Sequence, residues 1–86
     1  MRFDVHVEVR LRDGVADPQG ATIERSLPAL GFDGVTGVRV GKSMRFTLEA
    51  ADEAAARSEV SDMCARFLTN PVIEDADIHI GAVAPA

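Results

Sequence analysis

Residues 35–49 read VTGVRVGKSMRFTLE, and the reading of this stretch decides the fold. Val38, Val40, Met44, Phe46 and Leu48 fall on even positions, while Arg39, Ser43, Arg45, Thr47 and Glu49 fall on odd ones. A period of two marks a strand with one buried face. The phase survives passage through Gly41-Lys42-Ser43. A two-residue loop at Gly41-Lys42 would pair Val40 with Ser43 and mix the faces. A three-residue loop pairs Val40 with Met44 and Val38 with Phe46, keeping one face apolar. The pattern therefore predicts a hairpin with a Gly-Lys-Ser loop. The alternative is one unbroken strand of ~50 Å. That would overhang a globule of this size, whose radius of gyration is ~12 Å, and would call for a second chain to pair with.

The flanking segments build outward from this centre. Arg2–Leu11 alternates throughout, with Phe3, Val5, Val7, Val9 and Leu11 facing one way and Arg2, Asp4, His6, Glu8 and Arg10 the other. This is a half-buried strand of an antiparallel or mixed sheet. Asp13-Gly14 makes a turn. Asp17 is an N-cap and Pro18 sits at N1 of a helix whose buried stripe is Ile23, Leu27 and Leu30. Pro28 should kink its last turn. Gly31 at C′ and Phe32 at C″ over Leu27 complete a Schellman ending. Asp52 caps a second helix running to about Thr69, with Ala56, Val60, Met63, Cys64 and Phe67 as its apolar stripe. Glu53 with Arg57 and Asp62 with Arg66 are favourably oriented i,i+4 pairs. Asn70-Pro71 stops the helix. Ala76, Ile78, Ile80 and Ala82 then alternate as a last strand, with Ile73 out of phase and a bulge or strand start expected near Glu74-Asp75. Residues 83–86 read as a frayed tail.

The expected order is βαββαβ: an α+β, ferredoxin-like-related fold with two helices on one face of an antiparallel sheet. The first and last strands are then neighbours, which brings His6 towards His79 on the open face.

Composition limits the function. The chain of 86 residues reads as a single domain, residues 1–86, with a marginal core. With one cysteine, Cys64, no internal disulfide forms, so oligomerisation is the expected route to stability. The lone thiol fits a reducing cytosol. No stretch approaches the ~20 apolar residues of a membrane span, and the N-terminal stretch reads as a strand, not a signal peptide. A net charge of −5 argues against nonspecific nucleic-acid binding. Gly41-Lys42-Ser43 shares the tail of a P-loop, but Thr36 stands where that motif needs glycine, and a strand follows where it needs a helix. His6, His79 and Cys64 are scattered in the sequence, and two neighbouring histidines with no third ligand do not make a metal site. Cys64 lies in an apolar stripe and reads as a packed thiol. No catalytic constellation, cofactor site or metal spacing emerges, which favours a binding or assembly module.

Asp17-Pro18-Gln19-Gly20, Val38-Arg39-Val40-Gly41-Lys42 and Asn70-Pro71-Val72-Ile73-Glu74, in this order and spacing, resemble the PurS family, the small subunit of phosphoribosylformylglycinamidine (FGAM) synthase. The resemblance runs from Arg2 to about Ile80, and Pro28 departs from a simple family helix. It implies a non-catalytic bridging subunit in cytoplasmic purine biosynthesis, acting as a homodimer or larger oligomer. The partners implied are the glutaminase PurQ and the synthetase PurL, which binds ATP and Mg. Together they convert formylglycinamide ribonucleotide and glutamine to formylglycinamidine ribonucleotide, and this subunit assists ammonia transfer. The partner or oligomer contacts expected are Asp17, Pro18, Gln19 and Gly20 at a helix start, Arg39, Gly41 and Lys42 at a basic hairpin tip, and Asn70 and Pro71 at a helix stop. The readings set against this are a small-molecule-sensing regulatory module of ferredoxin-like form and a stand-alone enzyme using His6 or His79.

Overall fold

The computed structural model describes residues 1–82; the expected tail, 83–86, lies outside them. Its elements are β1 (Arg2–Leu11), α1 (Pro18–Ser26), a 3₁₀ turn (Pro28–Leu30), β2 (Lys42–Glu49), α2 (Glu53–Met63), a π turn (Cys64–Leu68) and β3 (Glu74–Ala82). The sheet is antiparallel in the order β2-β1-β3. Val5 faces Phe46 and Ile80 on its two sides, and Val7 faces Met44 and Ile78. The apolar face of β1 (Phe3, Val5, Val7 and Val9) is buried, and Val60 and Cys64 of α2 and the π turn close over it. The fold is thus the expected α+β class, an antiparallel sheet with two helices.

The hairpin does not form. Residues 35–41 make no strand, and Met44 and Phe46 pair with β1 instead of with Val40 and Val38. The second strand of the βαββαβ order is therefore absent as a hydrogen-bonded strand among the described residues. The cause lies in α1. The Glu24 carboxylate accepts the Val38 N–H at 2.9 Å, and the Asp17 carboxylate accepts the Val40 N–H at 2.7 Å. Alternate backbone donors that a ladder would have used are taken by helix side chains. Gly20 makes this possible, since a Cβ there would lie 2.3 Å from the Val38 carbonyl oxygen.

The stripe of α1 also departs from expectation. Ile23 and Leu30 are 40% and 71% exposed, and no α1 residue joins the core cluster. With α1 and its strapped segment outside the core, the chain spans 51 × 32 × 15 Å with a radius of gyration of 16.9 Å, well above the compact expectation. The helix ending forms as expected. Gly31 has φ 94°, the Phe32 N–H donates to the Leu27 carbonyl at 3.1 Å and the Gly31 N–H to that of Pro28 at 3.0 Å. Pro28 ends the α-helical bonding and begins the 3₁₀ turn, so the kink takes that form.

In α2 the stripe holds through Ala56, Val60 and Cys64, then shifts. The Thr69 N–H and hydroxyl both donate to the Cys64 carbonyl, at 3.1 and 2.8 Å. This i→i+5 closure puts one extra residue into the turn. Leu68 packs on the core, while Phe67, expected inside, is 88% exposed. Ile73 lies in the turn before β3, which accounts for its phase.

Two predictions come from these contacts. Phe67→Ser should change stability by no more than ~0.5 kcal/mol, the range of ordinary surface changes. Leu68→Ser should cost several times that, read as the shift in urea midpoint. The second concerns Asp17, whose carboxyl is held below the usual aspartate range by the Val40 N–H, the Gly20 N–H and the Arg39 charge. Its contribution is present above the unfolded value and is lost as pH falls through the lower folded one. Asp17→Asn should flatten that acid-side loss in a series of thermal melts from neutral to acid pH.

Candidate functional site

Three sequence-distant segments meet at one end of the sheet. Asp17 caps α1 through the Gly20 N–H at 2.8 Å and holds Val40 with its other oxygen. Next along the chain, Gly41 crosses β1 so closely that a Cβ would lie 2.5 Å from the Val9 carbonyl oxygen. Any side chain there would push the segment off the sheet. Lys42 then enters β2 opposite Val9. Glu74 opens β3 opposite Leu11, on the other side of β1. The Lys42 ammonium lies 3.7 Å from one Glu74 carboxylate oxygen, and the other accepts the Asn70 N–H at 2.7 Å. Glu74 is 14% exposed against 61% for Lys42, so the anion is fixed and the cation is free to reach outward.

Between them lies a cleft of about 430 Å³ lined by Val9, Leu11, Asp17, Gln19, Val40, Gly41, Lys42 and Glu74. Arg12 and Arg39 brace its rim. Arg39 donates to the carbonyls of Val15 (2.9 Å) and Arg12 (3.2 Å). Arg12 donates to the Pro71 carbonyl at 2.7 Å and pairs with Asp75 at 3.4 Å. Asn70 accepts the Val72 N–H at 3.2 Å, making the turn that aims the chain into β3.

The expected site residues thus converge, but their roles change. Arg39, Gly41 and Lys42 are no hairpin tip: Arg39 is an exposed brace, Gly41 a crossing point and Lys42 the start of β2. Arg12, Glu24 and Glu74 hold the corner together and were absent from the expected set. Glu24 and Arg12 carry no local signal, because Glu24 binds a backbone group and Arg12 finds the Pro71 carbonyl and Asp75 far along the chain. Glu74 becomes visible only once β1 is known to lie between β2 and β3.

The corner presents charged and amide groups from Asp17, Gln19, Lys42 and Glu74. Burial pushes the Cys64 thiol up, away from reactivity. On the opposite face His6 and His79 meet as expected, ring centroids 5.8 Å apart. A shallow hollow on the β2 side of His6, about 520 Å³, is lined by Asp4, His6, Arg45 and Thr47 among others. No helix among the described residues is long and apolar enough to cross a membrane.

Comparison with known proteins gives this geometry a context. Residues 4–82 match the family model described as PurS: Phosphoribosylformylglycinamidine (FGAM) synthase. The chain is 42% identical over 87 residues to the FGAM synthase subunit PurS of Synechocystis sp., covering 96% of this chain and 87% of that one. The Bacillus subtilis PurS structure superposes with a TM-score of 0.85 at 35% identity, over 93% of this chain and 99% of that one. A chain of the PurLQS structure from Thermotoga maritima does so with a TM-score of 0.85 at 34% identity, over 93% and 98%. The three segments that build the corner lie within the matched span, and the chain belongs to the PurS family of FGAM synthase subunits.

Proposed function

We propose that this chain, as a single domain, is the bridging subunit of an FGAM synthase, joining a PurQ glutaminase to a PurL synthetase. The complex is a glutamine-dependent, ATP-consuming ligase of purine biosynthesis. It converts formylglycinamide ribonucleotide and glutamine to formylglycinamidine ribonucleotide in the cytoplasm. ATP and Mg belong to the PurL partner, and this chain contributes surfaces.

The observation that carries this reading is family membership along nearly the whole chain, together with its likeness to a chain of PurLQS. A physical argument supports it. The chain exposes 6025 Å². A compact monomer of 9.2 kDa exposes about 4,900 Å². The excess, about 1,100 Å², is comparable to one side of a standard protein interface. Exposed large apolar side chains gather at α1 and the segment after it: Ile23, Leu30, Phe32 and Val35 are all at least 40% exposed. This supports a homodimer or larger assembly, with α1 covered by a second copy. The corner built from Asp17, Pro18, Gln19, Gly20, Arg39, Gly41, Lys42, Asn70 and Pro71 is the docking surface for a larger subunit. Gln19 and Lys42 reach outward from it, and the others hold its shape.

Docking matters because ammonia is a nucleophile only when neutral, and bulk water protonates it. Holding two active sites together raises effective concentration and shortens the exposed path.

Reconstitution with purified glutaminase and synthetase tests the proposal. Leaving this chain out should remove glutamine-dependent synthesis, while synthesis from ammonium salt largely remains. Lys42→Glu should lower the glutamine-dependent rate several-fold and spare the ammonium-dependent one. Equal glutamine-dependent rates with and without the chain would refute the bridging role.

A further inference from the structure

The open face of the sheet holds both histidines of the chain. Antiparallel pairing of β1 with β3 sets His6 directly across from His79. Their ring centroids are 5.8 Å apart, with 37° between the ring planes. On its other side, His6 Nε2 lies 2.7 Å from the Ser43 hydroxyl oxygen and 3.6 Å from a Glu8 carboxylate oxygen. The next pair along the same face is Glu8 with Asp77, and Asp4 lies beyond it in the opposite direction. Arg45 stands across from His6 on β2, and Arg10 pairs with Asp77.

We propose that His6 and His79 form a two-nitrogen clamp for a borderline divalent cation, with Zn²⁺ as the representative ion. Two imidazole nitrogens at zinc's bonding distance of ~2.1 Å put their ring centroids roughly 5–6 Å apart, which the observed spacing already meets. In the tautomer whose Nε2–H donates to Ser43, Nδ1 of His6 keeps its lone pair for the metal. Hydrogen bonds of this kind orient ligating histidines. Glu8 and Asp4 make the surroundings favourable to a cation; Asp77 is already paired with Arg10, and Arg45 across from His6 opposes. Among the described residues no third His, Cys, Asp or Glu gathers with the pair into a three-ligand site. The bound ion therefore keeps water in its remaining positions, and the site is an open one rather than a closed structural centre. This departs from the sequence expectation, which brings the two histidines together but finds no metal site for want of a third ligand; the ring spacing and the Ser43 contact are what the structure adds. The clamp exists only while β1 and β3 are paired, so the ion also favours the folded chain.

The test titrates the untagged full chain with zinc chloride by calorimetry and follows both imidazole rings by nitrogen-detected NMR. Saturable binding with both rings shifting is expected. His6→Gln and His79→Gln should each weaken binding more than ten-fold. Ser43→Ala, which removes a positioning hydroxyl, should weaken it about ten-fold. Unmoved imidazole signals at saturating zinc, or affinity unchanged in His79→Gln, would overturn the clamp. The NMR readout on the unaltered chain decides the matter even where a variant fails to fold.

Discussion

The structure depends on one buried strip, the apolar face of β1. Val5, Val7 and Val9 are all at most 2% exposed, and each fully buried side chain of this kind is worth about 1.5–3 kcal/mol. Because β1 carries this strip in the middle of the sheet, β2 and β3 must flank it. That arrangement brings Lys42 beside Glu74, Asn70 beside the same carboxylate, and His6 opposite His79. Both surfaces discussed above, the cleft corner and the open face, are consequences of that central position. The corner shares Val9 with the core, and the histidine pair of the open face uses none of it.

Only one layer of helix covers the strip. α2 and the π turn supply Ala56, Val60 and Cys64 to the buried set, whereas α1 is tied to the segment before β2 by carboxylate-to-backbone bonds. The domain is thin and long for this reason, and it leaves more surface in water than its mass calls for. A subunit that works by contact has use for that surface. Polar fastening leaves the apolar side of α1 unspent, whereas packing α1 on the sheet would have consumed it.

β1 and β3 were legible in the sequence because a half-buried strand writes its burial directly as alternation. The caps of both helices were equally plain, since Asp17, Asp52 and Gly31 act on neighbours in the chain. The segment before β2 misled for a physical reason. Val38 and Val40 alternate with polar residues, yet their partners are Glu24 and Asp17 on a helix, and alternation cannot distinguish a ladder from such a strap. Phe67 misled because a π turn shifts the phase of a helix without a local sequence mark. At the corner, most member residues were legible by type. What they bind was not, since Lys42 and Glu74 meet only through the sheet order.

The widened turn at Cys64–Leu68 separates two obligations that a straight helix would share. Ala56, Val60, Cys64 and Leu68 answer to the sheet, and Phe67 answers to whatever lies outside. Substitutions at position 67 can therefore follow a changing partner without disturbing the interior. The interior can drift in its turn without moving that ring's address on the surface.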